Sequence, residues 1–413
     1  MTAVSSGGRG DGETDGRALW RRRFEAQVLR AGEVLEGDGY LYRPGQLLVH
    51  ADDHPHVADR LDAYGLVPHR EHSDRLGRHG LALHAYRLPD GDGHRVPEIV
   101  RELRGAVTTR RLGVSPNHVF VGAPGYAPGG AGVPQAAPPV DEVQGDPYGE
   151  PMVSLLDTGL PRRLADWHPP LAAASVNGAD AVDDLDADGD GLLDLEAGHG
   201  TFVAGVLRRH APWLSFAVER VLSPSGLGDE IDIACGLLTS TAPVVNMSLG
   251  AYTYDDQPPL ALVAAVAQLG VDRLVVAAAG NEATDRPYWP AALPDVVAVG
   301  GTVDGTVDGG YEPRRAEFSN YGDWVDACAP AVDIQSTYVV GDYPVGGHVT
   351  SFDGWARWSG TSFAAPRVAA AVAGRMRERG LTARRAWESL LSEDRARLDG
   401  LGVVFPGDPV RLP

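Results

Sequence analysis

Between Met152 and Val299 the chain repeats one arrangement: a short, continuous apolar run, then a stretch with helical spacing. The runs lie at 152–156, 214–218, 243–247, 274–279 and 296–299. The helical stretches fall near 200–210, 229–240, 258–269 and, further on, 362–378. A strand that is apolar at every position must be covered on both faces, and strands separated by helices pair in parallel. The pattern predicts an α/β fold with a parallel sheet and helices on both faces. Functional groups in such sheets gather beyond the carboxyl ends of the strands. Asp157 occupies one such end, directly after Leu156.

The chain ahead of this region differs in character. Residues 1–16 are polar and Gly-rich and are expected to be disordered. Residues 17–36 carry Leu19, Trp20, Phe24, Val28, Leu29 and Leu35 at roughly helical spacing, which predicts an amphipathic helix packed on its own N-terminal part. Residues 38–122 alternate strand and helix: strands over Tyr40–Val49, Leu81–Leu88 and Asn117–Val121, helices over Pro55–Tyr64 and Pro97–Arg104. That order predicts a small α+β domain of the split βαβ, ferredoxin-like type. Residues 123–149, rich in Gly and Pro, contain little that could form a core and read as an exposed linker open to proteolysis. The division is thus 1–37, 38–122, 123–149 and 150–413.

Composition excludes several classes. The net charge is −20 and all 36 basic residues are Arg, with no basic patch, so nucleic acid is not an expected partner. No apolar run reaches membrane-spanning length. No basic start followed by an apolar stretch marks a signal peptide, so a cytoplasmic location is the simplest expectation, with non-standard export left open. Cys235 and Cys328 are the two cysteines. They do not make a disulfide framework and are expected as buried thiols.

Chemistry is carried by Asp157-Thr158-Gly159, Gly198-His199-Gly200-Thr201 and Gly360-Thr361-Ser362-Phe363-Ala364-Ala365-Pro366. They supply a carboxylate, an imidazole and a hydroxyl in the order Asp, His, Ser. Each has a structural alternative taken singly: an Asx-turn for Asp157, a buried hydrogen-bonded histidine for His199, a helix N-cap for Ser362. Asn246-Met247-Ser248-Leu249-Gly250 and Ala278-Ala279-Gly280-Asn281-Glu282 lie between them.

These five segments, in this order, resemble the subtilisin-like serine proteases over about residues 150–378. The resemblance implies a hydrolase, a serine endopeptidase acting on peptide or protein substrates. Ser362 would be the nucleophile, His199 the general base and then acid, and Asp157 the group that fixes the imidazole tautomer and stabilises its charged form. Asn281 would be a side-chain donor to the oxyanion beside the backbone N–H groups of the helix that Ser362 begins. Ser248, Leu249 and Gly250, with Ala279 and Gly280, would flank the pocket for the side chain before the scissile bond. Tyr288 aligns with the floor of that pocket, where many relatives carry a smaller residue. It implies a shallow pocket for small or medium apolar side chains, whereas Glu282 at the rim and the net charge of −20 would favour basic ones. Phe363, Arg367 and Ala370 depart from the common Met, His and Gly.

The acidic loop Asp186-Ala187-Asp188-Gly189-Asp190-Gly191, continued by Asp194 and Glu196, resembles a calcium loop. Alternating carboxylates with Gly at the sixth position suit a turn around Ca²⁺. Asp186, Asp188, Asp190, Asp194 and Glu196 are the candidate ligands of a structural ion that the chemistry itself does not require; a solvated acidic loop is the alternative. Residues 38–122 resemble the propeptide of the same family in size and position. That implies a zymogen in which the N-terminal domain serves as intramolecular chaperone and inhibitor and the linker is cut by the enzyme itself. Two rival readings remain at this stage: a peptide ligase using the same acyl-enzyme, and a catalytically silent peptide-binding module.

Overall fold

The computed structural model describes residues 21–29, 32–89, 93–107, 109–122, 132–140, 145–177, 180–304, 306–307, 310–345 and 348–406. The expected disorder of residues 1–16 lies outside them. Of the expected helix at 17–36, residues 21–29 are helical, with Glu25–Leu29 in π-helical form. Leu35–Glu36 is instead a short strand.

The N-terminal sheet is built from β1 (Leu41–His50), α1 (His54–Ala63), β2 (Val67–Pro68), α2 (Arg70–Arg78), β3 (Leu83–Arg87), α3 (Val96–Arg104) and β4 (Val114–Val121). β4 pairs with β1, β1 with β3, and β3 with β2, all antiparallel. This is the expected split βαβ arrangement with two additions, the short strand β2 and the helix α2. That helix is polar nearly all round, and Leu76 is its buried residue, so apolar spacing could not announce it.

The sheet is covered on both sides. Leu47, Val49 and Tyr86 pack with Val57 and Leu61 of α1 and Ile99, Val100 and Leu103 of α3. From the opposite face Leu48, Leu83, Ala85 and Phe120 join a core formed by the second half of the chain.

That second half contains β5 (Gln135–Ala136), β6 (Tyr148–Asp157), β7 (Ser175–Asn177), α4 (His199–His210), β8 (Leu214–Arg220), β9 (Leu227–Asp229), α5 (Glu230–Thr239), β10 (Val244–Met247), α6 (Leu260–Gln268), β11 (Leu274–Ala278) and β12 (Val296–Val303). It continues with β13 (Ala327–Pro330), β14 (Ile334–Val345), β15 (His348–Trp358), α7 (Ala365–Arg379), α8 (Ala383–Leu391) and β16 (Gly402–Val404). A ten-stranded sheet runs β16-β13-β12-β11-β10-β6-β8-β7, with short antiparallel strands added at Arg397–Leu398 and Arg314–Arg315.

The parallel pairings place successive residues on opposite faces. Leu155, Val244 and Val276 pack with Phe202 and Leu207 of α4 and Val368 and Val372 of α7. Leu156, Val245 and Val275 pack with Ile231 and Leu237 of α5 and Leu262 and Ala265 of α6. Both faces being buried is why each run is continuously apolar.

Three features were not anticipated. The strands β14 and β15 form a long antiparallel hairpin that braces the start of α4. Tyr338 Oη donates to Ala197 O at 2.8 Å, Tyr343 Oη to Leu195 O at 2.9 Å and Thr337 Oγ1 to Thr201 O at 3.0 Å. Part of the expected linker is ordered: β5 pairs with β15, and Trp358 Nε1 donates to Gly132 O at 2.5 Å. Residues 123–131 and 141–144 lie outside the described residues. Finally, the short strand β9, which the chain order puts with the parallel sheet, pairs antiparallel with β4 and extends the N-terminal sheet.

Cys235 lies in α5 and Cys328 in β13 as free, buried thiols. Burial pushes them up to about 11 and about 12, out of the reactive range. Among the described residues no helix is long and apolar enough to cross a membrane.

Candidate active site

Asp157 ends β6 and His199 begins α4, both fully buried. Asp157 Oδ1 accepts the His199 Nδ1 hydrogen at 2.7 Å and the Thr158 N–H at 2.8 Å. Two glycines permit the approach. Gly198 caps the helix in the left-handed region at φ 81°. A Cβ on Gly200 would fall 2.4 Å from Gly159 O.

Behind the pair stands Asp183, a residue that the motifs do not mark. Its Oδ2 accepts Thr158 Oγ1 at 3.0 Å and Gly198 N at 2.8 Å, and Thr158 Oγ1 in turn accepts Gly200 N at 3.1 Å. Burial pushes the Asp183 carboxyl up to about 7, although those donors pull it back. For His199, burial works against the charged ring, but the charge and hydrogen bond of Asp157 outweigh it and hold the imidazole above its ordinary 6.5. The ring lies between Trp358, edge-on at 5.6 Å, and Phe363 at 5.7 Å. Phe363 also meets Phe202 at 4.4 Å, so its departure from the common Met fits an aromatic cluster.

Ser362 lies in a 3₁₀ turn, Thr361–Phe363, that runs into α7. The expected helix thus starts as a tighter turn. Its Oγ donates to Gly122 O at 3.2 Å, with Ser248 O at 3.4 Å, while Ser248 Oγ donates to Ser362 O at 2.7 Å. No bond between Ser362 and His199 is formed among the described residues, and His199 Nε2 is buried without a partner there. Gly122 lies close to the imidazole: a Cβ on it would lie 3.6 Å from His199 Nδ1.

Asn281 Oδ1 accepts from Thr361 N at 2.9 Å and Thr361 Oγ1 at 3.0 Å. Those two donors fix the amide orientation, with its NH₂ as the donor end. Asn320, also unmarked by sequence, braces the same loop. Its Oδ1 accepts from Glu282 N and its Nδ2 donates to Ala279 O.

The segment leading to Gly122 runs as an extra strand. Val121 exchanges two backbone bonds with Gly250, both 2.9 Å, and Gly122 N donates to Gly226 O at 3.1 Å. On the other edge Val121, Phe120 and Val119 pair with Leu227, Gly228 and Asp229. Gly250 thus pairs with the residue before Gly122, and Ser248 O and Gly122 O both face Ser362 Oγ. Tyr288 is buried against two glycines. A Cβ on Gly250 would come 2.1 Å from its ring and one on Gly280 2.9 Å.

Of the five candidate metal ligands, Asp186, Asp188 and Asp190 bring carboxylate oxygens within 4.8 Å of one another. Asp194 and Glu196 do not join that group. Asp194 accepts the Ala187 N–H at 2.9 Å, and Glu196 is buried beneath Gly226. The chain turns inward after Leu193, which carries the last two carboxylates into the core side of the loop.

The peptidase S8 family model, described as the subtilase family, matches residues 149–388. A thermophilic serine proteinase from Bacillus sp. (strain AK1) is 35% identical over 54% of this chain and 51% of its own length. Thermitase from Thermoactinomyces vulgaris is 32% identical over 56% of this chain and 76% of its own. Fervidolysin from Fervidobacterium pennivorans, a keratinolytic enzyme related to subtilisin, shares the fold with a TM-score of 0.59 at 19% identity over 91% of this chain and 61% of that one. The chain belongs to the subtilase family. It spans about half the length of the Bacillus proteinase.

Because the charge of Asp157 is what lifts His199, the ring is expected to titrate above 6.5 in the otherwise intact protein. In Asp157→Asn it should titrate at lower pH, since burial then acts with less opposition. Proton NMR of the imidazole in a Ser362→Ala background measures both values; an unchanged value in Asp157→Asn contradicts the assignment.

Proposed function

We propose that this chain is a serine endopeptidase that cuts itself between Gly122 and Ala123 and thereafter prefers substrates with glycine before the scissile bond. The observation that carries this reading is the Gly122 carbonyl, held at 3.2 Å from Ser362 Oγ by a strand paired on both edges. Substrate strands bind proteases of this kind by backbone pairing.

Ser362 Oγ attacks the Gly122 carbonyl carbon while His199 Nε2 takes the hydroxyl proton. Asp157 stabilises the imidazolium that forms. The Ser362 backbone N–H and the Asn281 amide receive the developing oxyanion. His199 then protonates the departing Ala123 amine, and water releases Gly122 from the ester. Residues 38–122 serve as the chaperone and inhibitor, since their last strand occupies the cleft and their sheet shares a core with α5 and α6. Long-range parallel pairings fold slowly, and a docked template lowers that barrier.

Tyr288 sets the residue before the cut. Its ring occupies the slot between Gly250 and Gly280 where a substrate side chain would enter, and Gly122 needs no such slot. Asp186, Asp188 and Asp190 offer hard oxygens suited to Ca²⁺, which would stiffen the loop leading to His199.

Three outcomes are expected. Intact-mass measurement of purified wild type gives two fragments joined at Gly122–Ala123, whereas Ser362→Ala stays whole; a cut in Ser362→Ala contradicts the mechanism. Peptides with Leu in place of the glycine lose at least about 100-fold in kcat/KM, and Tyr288→Gly restores them; equal rates on Gly and Leu peptides with wild type contradict the role of Tyr288. Chelation by EDTA lowers Tm in wild type and leaves Asp188→Ala unaffected; a wild type indifferent to EDTA excludes the ion.

A further inference from the structure

Among the described residues, one side chain of β4 is met by polar groups of the second half of the chain. His118 is 1% exposed, and its ring lies between two groups from the second half of the chain. Nδ1 is 3.0 Å from Glu230 Oε2, and Nε2 accepts the Tyr254 backbone N–H at 3.1 Å. A backbone N–H can only donate, so Nε2 is bare and Nδ1 carries the proton. His118 is therefore bound as neutral imidazole.

Glu230 owes its position to other contacts. It begins α5, where a negative charge is favoured. Its Oε1 accepts the Ala261 N–H at 2.6 Å, and its side chain is fully buried. A fixed acceptor and a fixed donor thus face one space from two sides, spaced for the two nitrogens of one ring. Lys and Arg can only donate, a carboxylate can only accept, and Ala and Phe can do neither.

We infer that Glu230 and the Tyr254 N–H form a histidine-selective subsite for the fifth residue before the scissile bond, so that the enzyme favours His-x-x-x-Gly ahead of the cut. This rests on the reading of Gly122 as the residue before that bond. His118, Val119, Phe120, Val121 and Gly122 are the occupants seen here. The carboxylate would recognise substrates after the N-terminal segment leaves.

The test uses the self-cut full chain at pH 8 with the peptide Asn-His-Val-Phe-Val-Gly carrying a fluorogenic amide. Its histidine is varied to Ala, Lys, Phe and the two ring-N-methyl histidines. Each replacement lowers kcat/KM about 10- to 100-fold, the size expected for a lost hydrogen bond to a charged or buried partner. The Nδ-methyl form reports Glu230 and the Nε-methyl form reports Tyr254. In Glu230→Gln the His-to-Ala ratio falls toward one, a ratio read on a single protein and so insensitive to how much of it folds. The cis comparison agrees: His118→Ala slows the Gly122–Ala123 self-cut, and adding Glu230→Gln slows it no further. Equal rates for His and Ala, in trans or in cis, with the glycine preference intact, overturn the subsite alone. Absence of every cut overturns the endopeptidase reading and the subsite with it.

Discussion

The buried hydrogen bond between Asp157 and His199 is the contact around which the rest is arranged. Taking a carboxylate out of water costs several kcal/mol unless donors replace the lost solvent. Here the donors come from the Thr158 N–H and the imidazole, 2.8 and 2.7 Å away. To bring them together, the end of β6 and the start of α4 must nearly touch. Gly200 permits this, since no side chain would fit between it and Gly159 O. Asp183 ties the two elements a second time through Thr158 and the Gly198 N–H. The hairpin β14–β15 then holds the same helix start from outside through Tyr338 and Tyr343. The geometry at Nε2 is thus the product of three independent restraints on one helix terminus.

The N-terminal sheet is fitted to this centre by two unlike means. Its apolar face, with Leu48, Leu83 and Phe120, shares a core with α5 and α6. Its last strand enters the cleft through backbone bonds at Val121 and Gly122, with the Gly122 carbonyl also accepting Ser362 Oγ. Core burial supplies affinity that does not depend on the cleft, while the strand delivers one carbonyl to Ser362. Tyr288 fills the space between Gly250 and Gly280, and Glu230 meets His118 with a carboxylate held in place by the Ala261 N–H.

Much of this was legible in the chain. Runs such as Val153–Leu156 and Val244–Met247 fell where strands formed, because both faces of the sheet are buried and every position there is apolar. Asp157, His199, Ser362 and Asn281 were marked by short motifs whose glycines have local reasons. What could not be read depended on contacts between distant segments. Helix Arg70–Arg78 is polar and is held by Leu76 and by an ion pair from Arg75 to Asp232. Asp183, Asn320 and Trp358 act through partners far along the chain, at Gly198, Ala279 and His199. The seat of β9 against β4 and the ordering of residues 135–136 rest on backbone bonds, which carry no sequence signature. The acidic loop shows the limit of spacing alone: three carboxylates converge, and the turn after Leu193 removes Asp194 and Glu196 from the group.

The most direct measurement is the site of covalent capture by a peptidyl phosphonate, Val-Phe-Val-Gly, on the self-cut protein, located by peptide mass mapping. A single adduct on the peptide carrying Ser362 is the expected result. An adduct elsewhere, or no adduct at all, would contradict a nucleophile assembled by the Asp157–His199 pair.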